Sequence, residues 1–248
     1  MTAVFVHGFP ETSIIWDSLR KELDRDSLAL ALPGFATPRP PAFTATKDAY
    51  AEWLADGLRG VDAPIDLVGH DVGALLSLRV ATGFEVPLRS FVVDVAPIFH
   101  SEFTWPERVQ RLQTPGVGED LLKCTREADP EDPDSTVARL VGAGVPVGEA
   151  QVIAAAHDET MSRSMLDFYR SAVPNVAFDW WKDVNGPTLS KGLVLLLPDP
   201  PEEEEMSLEI ARRLGAETTR LDGLDHCWMA QAPERVGIVL QRFWSSLP

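Results

Sequence analysis

Short apolar runs recur along the chain, and segments with helical periodicity lie between them. The runs are too short for buried helices, are rich in β-branched residues and often end at Gly, Pro or Asp, so they predict buried parallel strands. They cover Val4–Val6, Leu28–Leu32, Ile65–Val68, Phe91–Val95 and Leu193–Leu197, and a last strand-like segment covers Ala216–Leu221. Helical patterns cover Trp16–Leu23, Asp48–Leu58, Ala74–Ala81, Glu202–Leu214 and Pro233 to about Ser245. This alternation predicts an α/β fold with a mostly parallel, doubly wound sheet.

The helix expected at 202–214 explains a cluster of acidic residues. Glu202–Glu205 lie at its positive amino end, Arg212 and Arg213 lie at its negative carboxyl end, and Gly215 follows as a left-handed stop. We therefore interpret the acidic run as the solvated start of a helix and not as a metal site.

One long stretch departs from the alternation. Residues 97–187 contain no strand-like run, and their helical patterns predict a helical cap inserted into the core. These patterns cover Pro106–Leu112, Gly118–Arg126, Ser135–Leu140 and Gly148–Ala172. The expected organisation is a core of residues 1–96 and 188–248 with a cap of residues 97–187.

Composition limits the partners of the protein. The 248 residues, 45% of them hydrophobic, suffice for one compact enzyme. The chain has 22 basic and 38 acidic residues, a net charge of −16, which argues against nucleic acid as a partner. The same charge repels anions at long range, so a neutral, apolar small molecule is favoured unless a local cationic pocket overcomes the repulsion.

Cysteine content and the lack of targeting signals give further expectations. The two cysteines, Cys124 and Cys227, are too few for a disulfide framework or a zinc cluster, so neither a metal nor another cofactor is predicted. The first residues do not have the pattern of a signal peptide, and no stretch reaches the roughly 18 apolar residues of a membrane span. We expect a cytoplasmic protein without membrane contact. Its oligomeric state is left open, a homodimer included.

The strongest chemical signal is the sequence Gly69-His70-Asp71-Val72-Gly73. It follows a predicted strand and precedes a predicted helix, which is the context of a nucleophile elbow, here with aspartate as the nucleophile. Glycines flank such a turn because its backbone is strained and closely packed. The backbone N–H of Val72 then lies near a helix amino end, where it can stabilise developing negative charge.

Two further segments supply the partners that an aspartate nucleophile needs. His7-Gly8-Phe9-Pro10 follows the first strand, and the Phe9 N–H is the expected second donor of an oxyanion hole. His226 lies in a loop after the last predicted strand, in the chain order nucleophile, acid, histidine, and is the expected general base. The acid that orients this histidine is Asp199 or Asp94, each at the end of a predicted strand. Asp199 is favoured, although its proline-rich surroundings also fit an ordinary turn.

Together these residues resemble the α/β-hydrolase superfamily, specifically its branch of epoxide hydrolases and hydrolytic dehalogenases. The resemblance spans nearly the whole chain and implies an α/β-hydrolase fold without the usual leading hairpin, hence a sheet of six strands. In the expected cap, Leu166-Asp167-Phe168-Tyr169-Arg170 is similar to the stretch in which epoxide hydrolases carry a ring-opening tyrosine. That similarity implies the role of proton donor for Tyr169.

The chain also departs from the family's patterns. Epoxide hydrolases usually carry a second cap tyrosine, but Tyr50, the only other tyrosine, lies outside the cap. The residues that could line the substrate pocket and take the place of the second cap tyrosine as a donor are His100, Trp105, Trp180 and Trp181. Core packing is the alternative for each aromatic residue. Val72 and Leu75 stand where fluoroacetate dehalogenases carry arginines, and haloalkane dehalogenases commonly carry a halide-binding tryptophan at the position of Val72.

These features predict a hydrolase that opens an epoxide to a diol through an aspartyl alkyl ester, with water as co-substrate. An opening epoxide needs a proton, which Tyr169 can supply, whereas a halide leaves without one. The alternatives are a hydrolytic dehalogenase acting on a haloalkane or haloacid, and a non-catalytic ligand-binding protein with a hydrolase fold.

Overall fold

The computed structural model describes residues 1–175, 177–180 and 188–248. They form one sheet of six strands in the order β2-β1-β3-β4-β5-β6, and every neighbouring pair is parallel. The strands are β1 (Thr2–Val6), β2 (Ser27–Leu30), β3 (Ile65–Gly69), β4 (Leu88–Val93), β5 (Lys191–Leu196) and β6 (Glu217–Arg220). The predicted α/β-hydrolase fold and the six-stranded sheet are therefore confirmed, and the sheet is wholly parallel rather than mostly so.

The two faces of the sheet bury two separate hydrophobic clusters. In β1, Val4 and Val6 belong to one cluster while Ala3 and Phe5 belong to the other, as the two-residue period of a strand requires. Both faces of the sheet are covered, which is why β1 and β5 bury continuous apolar runs instead of alternating, whereas the edge strand β6 is polar and largely exposed.

Helices cover both faces and connect the strands. They are α1 (Asp17–Lys21), α2 (Lys47–Arg59), α3 (Val72–Gly83), α4 (Glu107–Gln113), α5 (Val117–Glu127), α6 (Thr136–Gly142), α7 (Val147–Ala155), α8 (Glu159–Ser171), α9 (Ala177–Trp180), α10 (Pro201–Leu214), α11 (Trp228–Gln231) and α12 (Pro233–Ser246). Helices α2, α3 and α10 contribute to the cluster that contains Val4, and α1 and α12 contribute to the cluster that contains Phe5. The sheet is thus doubly wound.

The ends of several elements decide where site residues lie. Strand β4 ends at Val93, not at Val95 as the apolar run suggests, so Asp94 lies just beyond the strand and Val95 has a left-handed φ of 37°. Helix α10 ends at Gly215, whose φ of 65° confirms the left-handed stop predicted there.

The segment between β4 and β5 carries helices α4 to α9, which we call the inserted helices. One sequence interpretation is wrong here, because the pattern at 148–172 is two helices and not one. The chain breaks between α7 and α8, where the Asp158 side chain accepts a hydrogen bond from the Met161 N–H at 2.8 Å. This cap starts a new helix, and an aspartate directly before a helical run was the signal for it.

Within the described residues, the longest helices are too short and too polar to cross a lipid bilayer.

Candidate active site

Asp71 occupies a sharp turn between β3 and α3. Its backbone has φ 50° and ψ −121°, a conformation that costs a non-glycine residue about 1–3 kcal/mol. The neighbouring chain permits no side chain at Gly73, because an added Cβ would lie 2.2 Å from the Val6 carbonyl oxygen. The strain and the close packing hold the Asp71 side chain at the carboxyl end of the sheet, where it is partly exposed to a cavity.

The loop after β1 approaches this turn closely. The Phe9 N–H donates a hydrogen bond to Asp71 Oδ2 at 3.0 Å, and an added Cβ at Gly8 would lie 2.5 Å from the Asp71 Cβ. Val72 begins α3, and its N–H has no acceptor among the residues that the structure describes. One backbone donor thus already binds the Asp71 carboxylate, and a second is available beside it.

Asp94 joins three parts of the site. Its Oδ1 accepts the Asp71 N–H at 2.9 Å, and its Oδ2 accepts His70 Nδ1–H at 2.5 Å and Trp228 Nε1–H at 2.6 Å. The carboxylate is fully buried. It therefore fixes the turn after β3 to the loop that carries His226.

His70 is a buried cation beside Asp94. Burial opposes its protonation, but the charge and the hydrogen bond of Asp94 outweigh burial and raise the pKa of His70 well above its ordinary value. Burial likewise raises the pKa of Asp94, but the His70 charge overcomes it, and the pKa of Asp94 is lowered. Sequence analysis assigned His70 no role. Its place directly before Asp71 was the available signal.

His226 lies in the loop before α11 and lines the cavity next to Asp71. Its ring centroid is 4.6 Å from that of His70. Burial and the neighbouring His70 charge lower the pKa of His226, while the charges of Asp71 and Asp94 act in the opposite direction. The imidazole is therefore neutral at pH 7 and able to accept a proton.

Glu11 is a third acid near Asp71. It is buried, and burial together with the Asp71 charge outweighs His70 and raises the pKa of Glu11 to about 7. Its Oε2 has no hydrogen-bond partner among the described residues. Sequence analysis did not identify Glu11, although it directly follows the His7–Pro10 segment.

Glu11, His70 and Cys227 are close enough to suggest a metal site, with one ligand atom from each within 4.8 Å of the others. In this cluster His70 Nδ1 donates to Asp94 Oδ2, and burial raises the pKa of both Glu11 and Cys227. The cluster is therefore a group of buried titratable side chains behind Asp71.

Tyr169 on α8 lies in the wall of the same cavity as Asp71 and His226. Burial raises the pKa of Tyr169 well above its ordinary value, and the charges of Asp71 and Glu11 raise it further. The phenol therefore keeps its proton at neutral pH. The inserted helices thus bring a neutral proton donor to the cavity that contains the carboxylate.

Asp199, the acid that the sequence favours, also lines this cavity. Within the described part of the chain its carboxylate forms no hydrogen bond with His226. Partial burial and the charges of Glu203 and Asp94 raise the pKa of Asp199. Asp94 forms no hydrogen bond with His226 either among the described residues, but its charge acts to raise the pKa of His226.

Two cavities meet at Val109, Tyr169 and His226. The first, of about 260 Å³, contains Asp71 and Asp199, and we call it the Asp71 cavity. The second, of about 200 Å³, is lined in part by arginines of the inserted helices, and we call it the arginine cavity.

The four pocket candidates from the sequence have different environments. Trp105 lines the Asp71 cavity, but its indole N–H donates to the Ala172 carbonyl at 2.9 Å. Trp180 and His100 line neither cavity. The Trp180 indole donates to Asp48, and His100 pairs with Glu209 at 3.4 Å. Trp181 lies outside the described residues.

The doubly wound sheet with a strained residue between strand and helix defines a hydrolase of the α/β type. A model of the alpha/beta hydrolase family matches residues 3–237, and the chain belongs to this family. No curated protein matches the sequence.

Solved structures share the fold at low sequence identity. A protein from Pseudomonas aeruginosa that is provisionally named an epoxide hydrolase has a TM-score of 0.78 and 21% identity, over 99% of this chain and 88% of that one. A loop variant of a haloalkane dehalogenase from Bradyrhizobium elkanii has a TM-score of 0.70 and 17% identity, over 98% of this chain and 89% of that one. The Cif epoxide hydrolase from Acinetobacter nosocomialis has a TM-score of 0.73 and 15% identity, over 98% of this chain and 82% of that one. At such identities the likeness establishes the fold alone.

Proposed function

We propose that the protein hydrolyses an epoxide to a diol through an ester between the substrate and Asp71. The observation that carries the proposal is one shared cavity lined by the Asp71 carboxylate, a protonated Tyr169 and a neutral His226. A nucleophile, an acid and a base are then available to a single bound molecule.

In the first step the Asp71 carboxylate attacks one carbon of the epoxide, and the bond between that carbon and the ring oxygen breaks. The departing alkoxide is strongly basic and takes the hydroxyl proton of Tyr169. The products are a hydroxyalkyl ester on Asp71 and a tyrosinate.

In the second step His226 removes a proton from water, and the resulting hydroxide attacks the ester carbonyl carbon. The tetrahedral oxyanion is stabilised by the N–H groups of Phe9 and Val72, the first of which is already bound to Asp71 Oδ2. Collapse expels the diol oxygen, which takes the proton of the newly added hydroxyl group, so the diol leaves and the Asp71 carboxylate is restored. The proton on His226 returns to Tyr169 through solvent, which closes the cycle.

Asp94 is the acid that supports His226 in this proposal. Its charge acts on the imidazole and favours the protonated form that arises in the second step. The hydrogen bonds to His70, Trp228 and the Asp71 N–H hold the Asp94 carboxylate in place, so its support for His226 is electrostatic and not a direct hydrogen bond.

Hydrolytic dehalogenation is the alternative reaction at the same carboxylate. A halide needs hydrogen-bond donors, but the Trp105 indole is engaged by Ala172, and the Val72 side chain has no donor. The structural relatives include proteins named for each activity, so they do not distinguish the two. Tyr169 favours the epoxide because only that leaving group requires its proton.

A His226→Gln variant tests the proposal. It should complete the first step and then stop, so its mass should rise by that of the added epoxide, with the adduct on the peptide that contains Asp71. Single turnover of the unmutated enzyme in ¹⁸O-labelled water should transfer label into Asp71. Label in the diol alone, with no adduct in the variant, would mean direct attack by water. Halide release from haloalkanes, without turnover of any epoxide, would mean that the protein is a hydrolytic dehalogenase.

A further inference from the structure

The arginine cavity shares Phe9, Tyr169 and His226 with the chemistry proposed above, but its arginines have no part in that chemistry. It is bounded by α4, α5, α6 and α8 of the inserted helices and meets the Asp71 cavity at Tyr169 and His226. Its polar lining at the end away from Asp71 consists of Arg108, Arg139, Thr125, Thr136 and His157.

Arg108 and Arg139 hold two positive charges at this cavity without a carboxylate partner. Arg108 donates only to the Thr125 hydroxyl, at 2.9 Å, and the Arg139 guanidinium forms neither a hydrogen bond nor an ion pair, in both cases among residues 1–175, 177–180 and 188–248. Most other arginines in this acid-rich chain are paired, for example Arg39 with Asp167 and Arg170 with Glu119. Arg108 is half-buried and Arg139 is exposed, so the two guanidinium groups form a cationic lining, open to solvent, of the kind that binds anions.

The electrostatics agree with this geometry. Burial lowers the pKa of Arg108 to about 10, the charges of Arg139 and Arg111 lower it further, and the charge of Asp134 acts in the opposite direction. Glu11 also lines the cavity, but it lies at the Asp71 end, and its pKa is raised to about 7, so its negative charge is only partly present at neutral pH. Arg108 therefore keeps its charge at neutral pH, and neither guanidinium of the cavity is ion-paired among the described residues.

The remaining polar groups of the cavity differ in whether they can form a further hydrogen bond. Both ring nitrogens of His157 are occupied, by the Thr136 and Ser162 hydroxyls at 2.9 and 3.0 Å. Thr125 accepts from Arg108 and keeps its own hydroxyl proton for another acceptor. Thr125 is therefore placed to add a hydrogen bond to an anion beside Arg108.

We propose that the substrate carries an anionic group of carboxylate size, bound in the arginine cavity by Arg108 and Arg139 while its reactive carbon lies at Asp71. This inference rests on the proposed function and names the substrate class. Asp199 and Glu203 line the Asp71 cavity and repel a negative charge, so they direct the anionic end of the substrate to the arginines. The neutral substrate expected from the net charge of −16 is replaced by one that a local cationic site attracts.

The test compares matched substrates. The terminal epoxides of pentenoate, heptenoate and nonenoate are each assayed beside the corresponding amide, which has nearly the same size and no charge. At one chain length kcat/KM should favour the carboxylate on the order of tenfold or more, mainly through KM, as for a hydrogen bond to a charged group. The preference should weaken as salt concentration rises.

Three arginine variants identify the source of the preference. Arg108→Gln and Arg139→Gln should each reduce it on the order of tenfold, and Arg108→Lys should retain part of it. Arg111→Gln is the control. It removes the same charge from α4 at a residue that does not line the cavity, and its effect should be smaller because the Arg111 charge acts on Arg108 less than that of Arg139 does. Far-ultraviolet circular dichroism and thermal midpoints verify that the variants are folded.

Binding of heptanoate, measured by calorimetry beside heptanamide, separates this inference from the proposed function. The anion site is supported if heptanoate binding is lost in Arg108→Gln and kept in Arg111→Gln. If such binding is found but no epoxide is hydrolysed, only the proposed function fails. Equal turnover of carboxylates and amides, with no effect of either arginine variant, overturns the anion site and leaves epoxide hydrolysis intact. An equal effect of Arg111→Gln would assign the preference to overall charge and also overturn the site.

Discussion

The Asp71 N–H donates to Asp94 Oδ1 at 2.9 Å, so the residue after β4 holds the strained turn after β3. The second oxygen of the same carboxylate binds His70 and Trp228. A single buried charge therefore stabilises the backbone of Asp71 and a cation adjacent to it.

We expect Asp94→Asn to lower the free energy of unfolding at pH 6 by about 3 kcal/mol, the usual cost of removing one partner of a buried ion pair. Urea unfolding monitored by circular dichroism measures this change. Asp199→Asn is the control, since Asp199 is partly exposed and forms no ion pair among the described residues; it should change stability by less than about 0.5 kcal/mol. Equal losses in the two variants would contradict the central role of Asp94.

The difference between the wild type and Asp94→Asn should also depend on pH. The pKa of His70 is raised above its ordinary 6.5, so its stabilising contribution is complete below pH 6.5 and is lost as the pH rises through the folded value. The pKa of Asp94 is lowered below 3.8, so its contribution is present above pH 3.8 and is lost as the pH falls through the folded value. The difference should therefore be largest between pH 3.8 and 6.5.

Single-turnover kinetics distinguish the two acids. Asp94→Asn should slow hydrolysis of the Asp71 ester about tenfold or more, because the imidazolium that His226 becomes loses a nearby negative charge. Asp199→Asn should leave this step within about twofold. The opposite ranking would return the role of the acid to Asp199. Both variants are assayed well below their thermal midpoints, so that the loss of stability does not enter the rates.

Tyr169→Phe should slow formation of the Asp71 ester on the order of 10²-fold, the usual contribution of a general acid. The substitution keeps the ring that packs against Trp105 and Phe9, so the fold should be retained. Rapid-quench measurement of the adduct gives the rate. An unchanged rate would remove Tyr169 from the mechanism and favour the dehalogenase alternative.

The strain at Asp71 can be measured with two inactive variants. Asp71→Gly and Asp71→Ala both lack the carboxylate that accepts the Phe9 N–H, so they differ mainly in how well they adopt a φ of 50°. Asp71→Gly should be more stable than Asp71→Ala by about 1 kcal/mol. Thermal unfolding of the pair provides the comparison, and equal stabilities would mean that the turn stores no strain.

Local patterns predicted most of the fold. The apolar runs and helix ends identified the six strands and the stop at Gly215, because the burial of a parallel sheet and a left-handed cap each leave a signature in adjacent residues. The break before α8 was missed because only residues 156–158 separate two helical patterns and only the Asp158 cap marks the new start. A capping residue inside a long helical pattern is easily outweighed by the periodicity.

The site was predictable only where its residues lie next to an element boundary. Asp71 and Phe9 follow strands directly, and their contact at 3.0 Å agrees with their positions in the sequence. The surroundings of Asp94, Glu11 and Arg108 depend on side chains from distant segments, and nothing in adjacent sequence indicates that three donors converge on Asp94. Burial and unpaired charge are tertiary properties, so these residues could be evaluated only in the folded chain.

The acids and bases around Asp71 are tied to its charge. That charge contributes to the raised pKa of Glu11 and of Tyr169, and it counteracts the lowering of the pKa of His226. An ester on Asp71 is neutral, so its formation would make all three groups release protons more readily. The two half-reactions would then run in different electrostatic environments, and the covalent state of one side chain would set the proton affinity of the whole pocket.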